Sequence, residues 1–295
     1  MRTLYIIGNG FDLNYNLKTR TSHFTEYLKR QPIYNEASNA LDVLGCYGVD
    51  WHEYEQSLND IDLDELEFQN EIQPDYLSDR ESDRDGGILN MQMYVESLSD
   101  AIIAALEQMV ANANNDARKL SMMSPKKKLF RSGDAILTFN YTSTVEYLFS
   151  VPYDVPIFHV HGCYESGNRL IFGYRSNTRS YGRTWASVDE DNWDFYVAQQ
   201  REAVYAFYDS WRKPLQIDKL RAFLSDCYGI DRVVVLGHSM SAVDAEYMEL
   251  VESSLNPNSW DISYHNPNSI NDIMALKYSF SNKMRFATMK ELMKT

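Results

Sequence analysis

Four short polar clusters each follow a run of apolar residues. They are Gly8-Asn9-Gly10-Phe11-Asp12, Thr138-Phe139-Asn140-Tyr141-Thr142, His159-Val160-His161-Gly162, and Gly237-His238-Ser239-Met240-Ser241 with Asp244 close behind. Glycine, Asn, His and Ser at strand ends are residue types that cradle phosphates, orient amides and hydroxyls, and move protons. In an open parallel sheet the carboxyl ends of the strands face one crevice, so all four clusters are expected to share one site. The first suits a dinucleotide: two glycines flanking one residue permit a tight turn and close approach of a ligand to bare backbone. The third glycine of the dinucleotide fingerprint is missing, and Leu13-Asn14-Tyr15-Asn16-Leu17 does not read as an immediate helix. Plain structural roles also exist: Asn140 as a turn cap, His161 as a core histidine, Ser239 as a helix cap.

The two histidines of His159-Val160-His161 would share a face if a strand ran through both. With no well-placed carboxylate to complete a ligand set, no metal site is expected. Val233-Val234-Val235-Leu236-Gly237-His238-Ser239-Met240-Ser241 nearly spells a nucleophile elbow, with serine in place of its last glycine. The elbow's partners would be His265 with Asp261 or Asp272, and only 56 residues follow Ser239 for the rest of the fold.

These clusters need a scaffold of strands alternating with helices. Strand-like runs cover 4–7, 135–139, 157–160, 170–172, 232–236 and 260–264. Helical spacing is expected around Phe24, Tyr27 and Leu28, from about 88 to 112, and from Ser241 through Val243, Tyr247, Leu250 and Val251. The fold class implied is α/β, a Rossmann-like, mostly parallel sheet with helices on both faces. Residues 60–87 read as a solvated acidic connection, and 174–215, with nine aromatic residues from Tyr181 to Trp211, as a helical cap or lid.

At 295 residues with 44% hydrophobic and 24% charged content, the chain has material for a sizeable core. A net charge of −14 opposes broad attraction to nucleic acid or anionic membrane. Lys126, Lys127, Lys128 and Arg131 form the dense basic run and read as a solvated surface. Three widely spaced cysteines, Cys46, Cys163 and Cys227, form neither a disulfide framework nor a zinc motif. With no membrane-length apolar stretch and no secretory pattern, a cytoplasmic protein is expected.

In order and context the four clusters resemble the AbiH group of bacterial abortive-infection proteins, a branch of the sirtuin-like NAD-binding superfamily. The resemblance extends to Leu17-Lys18-Thr19, Phe24, Tyr247 and the Trp51 to Leu58 stretch. It implies one sirtuin-like domain over 1–295, with a mainly helical insertion at 33–130 and an aromatic-rich insertion or lid at 174–228. It further implies NAD as the substrate. Gly8 and Gly10 would hold the pyrophosphate; Asn140 would lie by the nicotinamide ribose; His161 would act as base; Ser239 would touch the adenosine side, with Asp244 assisting there or supporting the fold; and Asn9, Phe11, Asp12, Tyr141, Gly237 and His238 would complete the NAD-binding set. The paired Cys-x-x-Cys zinc module of sirtuin deacylases is missing from the sequence. That turns the expectation from deacylation to NAD hydrolysis, with self-association or a phage-derived activator as trigger. A nucleotide sensor without turnover and a serine hydrolase are the alternatives.

Overall fold

In a computed structural model, Leu4, Tyr5, Ile6 and Ile7 are all buried, so β1 (Arg2–Ile7) carries apolar side chains toward both faces. That is the pattern of a central strand in a parallel sheet covered on both sides. The structure describes residues 2–33, 51, 54–55, 79–167, 169–174 and 195–294. Cys46, Tyr181, Trp185, Trp193, most of the 60–87 connection and most of the Trp51 to Leu58 stretch lie outside them.

The chain divides into two compact units. The first, 1–20, 109–171 and 215–295, holds a sheet of six parallel strands in the order β3-β2-β1-β4-β5-β6. Its other strands are β2 (Ala135–Thr138), β3 (Ile157–His159), β4 (Ile230–Leu236), β5 (Ser259–Tyr264) and β6 (Met284–Thr288). Leu4, Ile6, Leu137, Val233, Val235, Trp260 and Ile262 pack on one face with Leu220, Met248, Val251 and Ile273 from helices. Tyr5, Ile7, Ile136, Val234 and Leu236 pack on the other with Phe11, Val145, Phe149 and Leu292. The sheet is therefore doubly wound, as the alternating pattern implies.

The helices are α1 (Asn9–Asn14), α2 (Thr21–Leu28), α3 (Glu81–Met123), α4 (Thr144–Leu148), α5 (Phe195–Ser210), α6 (Ile217–Ser225), α7 (Ala245–Leu255), α8 (Pro267–Ala275) and α9 (Met289–Leu292). The second unit, 21–108 and 172–214, contains α2, α5 and α3 as far as Gln108. Its core includes a ring cluster of Phe24, Trp51, Tyr54, Phe172 and Trp211, beside a buried Lys213–Glu55 ion pair of 2.9 Å.

Several local expectations are corrected. Helix α1 begins at Asn9, directly after Gly8, and takes in Gly10 of the turn, where no immediate helix was expected. Residues 170–172 form no strand; Ile171 N–H instead donates to His161 O at 2.8 Å. Residues 81–87 belong to α3, with Glu81 and Asp83 favourably placed against the dipole of its first turn. Ser241 precedes a 3-10 turn, Ala242–Asp244, and α7 proper starts at Ala245.

Candidate functional site

Strand order reverses between β1 and β4, and the glycine turn after β1 meets the Gly237 turn after β4 at that point. The two backbones touch. A Cβ on Gly8 would lie 2.6 Å from His238 Cα, and one on Gly10 would lie 2.8 Å from Gly237 Cα. Gly237 has φ +69°, and a Cβ there would come within 2.2 Å of the Phe11 nitrogen. Gly8 N–H donates to Leu236 O at 3.1 Å, Gly10 N–H to Gly237 O at 2.8 Å, and Phe11 N–H to Gly8 O at 2.9 Å. In this structure the glycines let two loops cross, and their N–H groups are engaged within the protein.

Asn140 joins the same crossing from the end of β2: its Nδ2 donates to Gly8 O at 3.1 Å, and the residue is buried. His161 arrives from the end of β3. Its ring lies 5.4 Å from that of Phe139, 6.3 Å from Tyr141 and 6.3 Å from Tyr247, and the residue is 4% exposed. The Phe139 ring also lies 4.3 Å from that of His238, tilted by 60°, so one aromatic ring touches side chains from the β3 and β4 ends. Tyr141 Oη donates to Ile171 O at 2.9 Å. Phe11 is buried in α1 against Tyr15 and Phe149, while Asn9 is half-buried and Ser239 exposed.

Asp12 turns into the first unit, where its Oδ2 accepts from Thr142 Oγ1 at 2.7 Å. Burial pushes its carboxyl up to about 6, against the opposing pull of Thr142, Thr144 and Asn140.

His238 and Asp244 form a pair at 3.3 Å between Nε2 and Oδ2. Met240 N–H donates to His238 Nδ1 at 2.9 Å, which assigns the ring proton to Nε2, facing the carboxylate. Met240, at φ 52°, is held further by Tyr278 Oη donating to its carbonyl. Both His238 nitrogens are thus engaged in shaping the loop, and neither is directed to Ser239 as a base. Asp261 is paired with Arg232, so the buried acid of the elbow reading is committed elsewhere.

The clusters at 8–12, 138–142, 159–162 and 237–244 therefore come together at one rim of the sheet. A family model described as bacteriophage abortive infection AbiH matches residues 4–265. The chain belongs to the AbiH family. Membership implies a role in phage abortive infection. The match runs from within β1 to the end of β5 and covers all the residues of the rim. Comparison with the curated proteins gives no match.

Within this AbiH fold the sequence missed a second layer behind Asn140. Strand β3 ends at His159, so His159 and His161 do not lie along one strand. His159 Nδ1 lies 3.1 Å from Asn140 O, and its Nε2 lies 3.0 Å from Glu146 Oε1 on α4. Asn114 and Arg118 of α3 hold Glu165 at 3.0 and 2.7 Å, and Asn114 Oδ1 accepts from Ser143 N–H at 2.9 Å. Glu146 and Asn114 sit in helices with no motif around them, which is why spacing did not reveal them. Among the described residues no group of three or more His, Cys, Asp or Glu side chains could hold a metal ion.

Two of the basic run's lysines are also occupied. Lys126 Nζ donates to Glu146 O, and Lys127 Nζ donates to Tyr15 Oη while lying 4.3 Å above that ring. No helix is long and apolar enough to cross a membrane among the described residues.

Proposed function

We propose that this AbiH chain cleaves the ribose–nicotinamide bond of NAD, releasing nicotinamide and ADP-ribose during abortive infection. The observation that carries the reading is the convergence of Asn140 and His161 on the crossing of two glycine turns, at the point where dinucleotides bind in sheets of this order. The sirtuin-like resemblance of the same four clusters supplies the reaction type. The glycosidic C–N bond breaks with its electron pair going to the nicotinamide ring, which leaves neutral from a cationic ring and needs no strong acid. The ribose carbon develops oxocarbenium character. A water oxygen then bonds to that carbon, and its proton passes to His161 as general base. Asn140, fixed against Gly8 O, orients the ribose or the water, and holding both groups on strand ends contributes through orientation.

The test is incubation of the purified protein with NAD and measurement of free nicotinamide, alone and in lysate of phage-infected cells. Self-association or a phage-derived component would supply the trigger, since a depleter of an essential cofactor has to be silent until infection. His161→Ala and Asn140→Ala are expected to fold and to lose at least about a hundredfold of the rate. Full activity in either variant would remove that residue from the mechanism.

The burial of His161 among Phe139, Tyr141 and Tyr247 favours a second reading, a nucleotide sensor without turnover. Saturable NAD binding with no nicotinamide release under triggering conditions would decide for it.

A further inference from the structure

We propose that His159 is a positioning residue for Asn140, a cationic clamp whose ring ties the Asn140 backbone to the carboxylate of Glu146. The argument is one of donors and acceptors. A backbone carbonyl accepts hydrogen bonds and donates none, and so does an ionised carboxylate. His159 Nδ1 is 3.1 Å from Asn140 O, and Nε2 is 3.0 Å from Glu146 Oε1. Both nitrogens therefore carry protons, and the ring is an imidazolium.

The surroundings favour that charge. Burial works against it, but Cys163 and Glu146 outweigh burial and push the ring's pKa up to about 10. The Cys163 thiol responds in the complementary direction. Burial raises it, while His159 and Ser143, whose Oγ is 3.2 Å from the sulfur, bring it below its ordinary value.

The clamp holds Asn140 at its carbonyl, alongside two contacts made by other residues. Its amide donates to Gly8 O at 3.1 Å, its carbonyl faces His159, and its own N–H donates to Thr138 Oγ1 at 3.1 Å. With three contacts of this kind, the direction of the Asn140 amide is set before any ligand arrives. His238, by contrast, accepts at Nδ1 from Met240 N–H. The two rings play different parts although both stand in strand-end motifs.

The consequence for catalysis rests on the NAD-cleavage reading; the clamp itself does not. Two measurements keep them apart. Nitrogen-resolved NMR of the histidine side chains in the wild-type protein should show both His159 nitrogens protonated through about pH 8, where an ordinary histidine is neutral. Glu146→Gln should bring its titration back toward the ordinary range. His159→Gln should shift the Asn140 side-chain amide signals while the far strands β5 and β6 keep theirs.

In the nicotinamide assay both variants should lose roughly 10- to 100-fold in kcat with KM changed less than about twofold, the sign of a misaimed group and not a lost binding contact. A His159 ring that is neutral at pH 7 overturns the clamp, as do Asn140 signals that stay put in His159→Gln. If that variant does not fold, the wild-type titration and Glu146→Gln decide. If no protein releases nicotinamide while the ring stays doubly protonated and the amide shifts, the clamp stands and the NAD reading falls.

Discussion

Asp12 shows how one side chain in a recognisable motif can carry a measurable pH signature. Its folded carboxyl is at about 6 and its ordinary value is 3.8, so between these the folded state binds more protons than the unfolded one. Stability from this group is therefore highest below about pH 4, falls as the pH rises toward 6, and is flat above that. The sign is opposite to that of a salt-bridged aspartate, because burial outweighs the hydrogen bond from Thr142. Asp12→Asn keeps an oxygen to accept from Thr142 and cannot ionise. Denaturant unfolding measured from pH 4 to 7 should show wild type losing stability relative to the variant by up to about 3 kcal/mol across that window. A constant difference over the window would mean that Asp12 is not charged against burial. His159 has the same sign in a higher window: a ring raised to about 10 contributes stability that is fully present below about pH 6.5 and is lost as the pH climbs through 10.

Among the elements, the crossing of the β1–α1 turn with the β4 turn is the feature on which the site's shape depends. Glycine is required there for two separate reasons, a left-handed backbone at Gly237 and contact distances with no room for a methyl group. Gly237→Ala would set a Cβ 2.2 Å from the Phe11 nitrogen, in backbone that cannot swing aside as a flexible side chain would. It should cost several kcal/mol, in the upper range for point substitutions. Gly86 supplies the control: it lies inside α3, a Cβ there meets nothing within 4 Å, and Gly86→Ala should stabilise by about 0.5–1 kcal/mol. Thermal unfolding of the two variants tests the contrast, and equal effects would refute it. The same crossing shows what the sequence could reveal. The strand-like runs 4–7, 135–139, 232–236 and 260–264 and the glycine-rich ends after two of them were legible, because strand period and glycine both leave local signals. That Gly8 and Gly10 face Gly237 was not legible, because it depends on residues more than 200 positions apart. Strand β6 went unread because Met284, Arg285, Phe286, Ala287 and Thr288 lack a run of branched residues and lie at the sheet edge.

For the whole molecule, charge is the property that the individual contacts do not settle. The chain carries 42 acidic against 28 basic residues, and like charges repel more in a folded protein than in an expanded chain. Working the other way are ion pairs such as Arg118–Glu165 at 2.7 Å and Lys283–Glu252 at 2.6 Å. These are partly exposed, and pairs of that kind contribute roughly 0–1 kcal/mol each. The expected balance is that the summed repulsion of a net −14 outweighs them. Salt screens the long-range repulsion first, since the Debye length falls from about 30 Å at 0.01 M to about 8 Å at 0.15 M, whereas contact pairs are screened much less. The thermal midpoint should therefore rise by a few degrees between those ionic strengths at pH 7.5. Sodium chloride is the proper titrant, because sulfate would add its own strengthening of apolar burial. A midpoint that falls over this range would mean that the ion pairs, and not the net charge, govern the electrostatics of the fold.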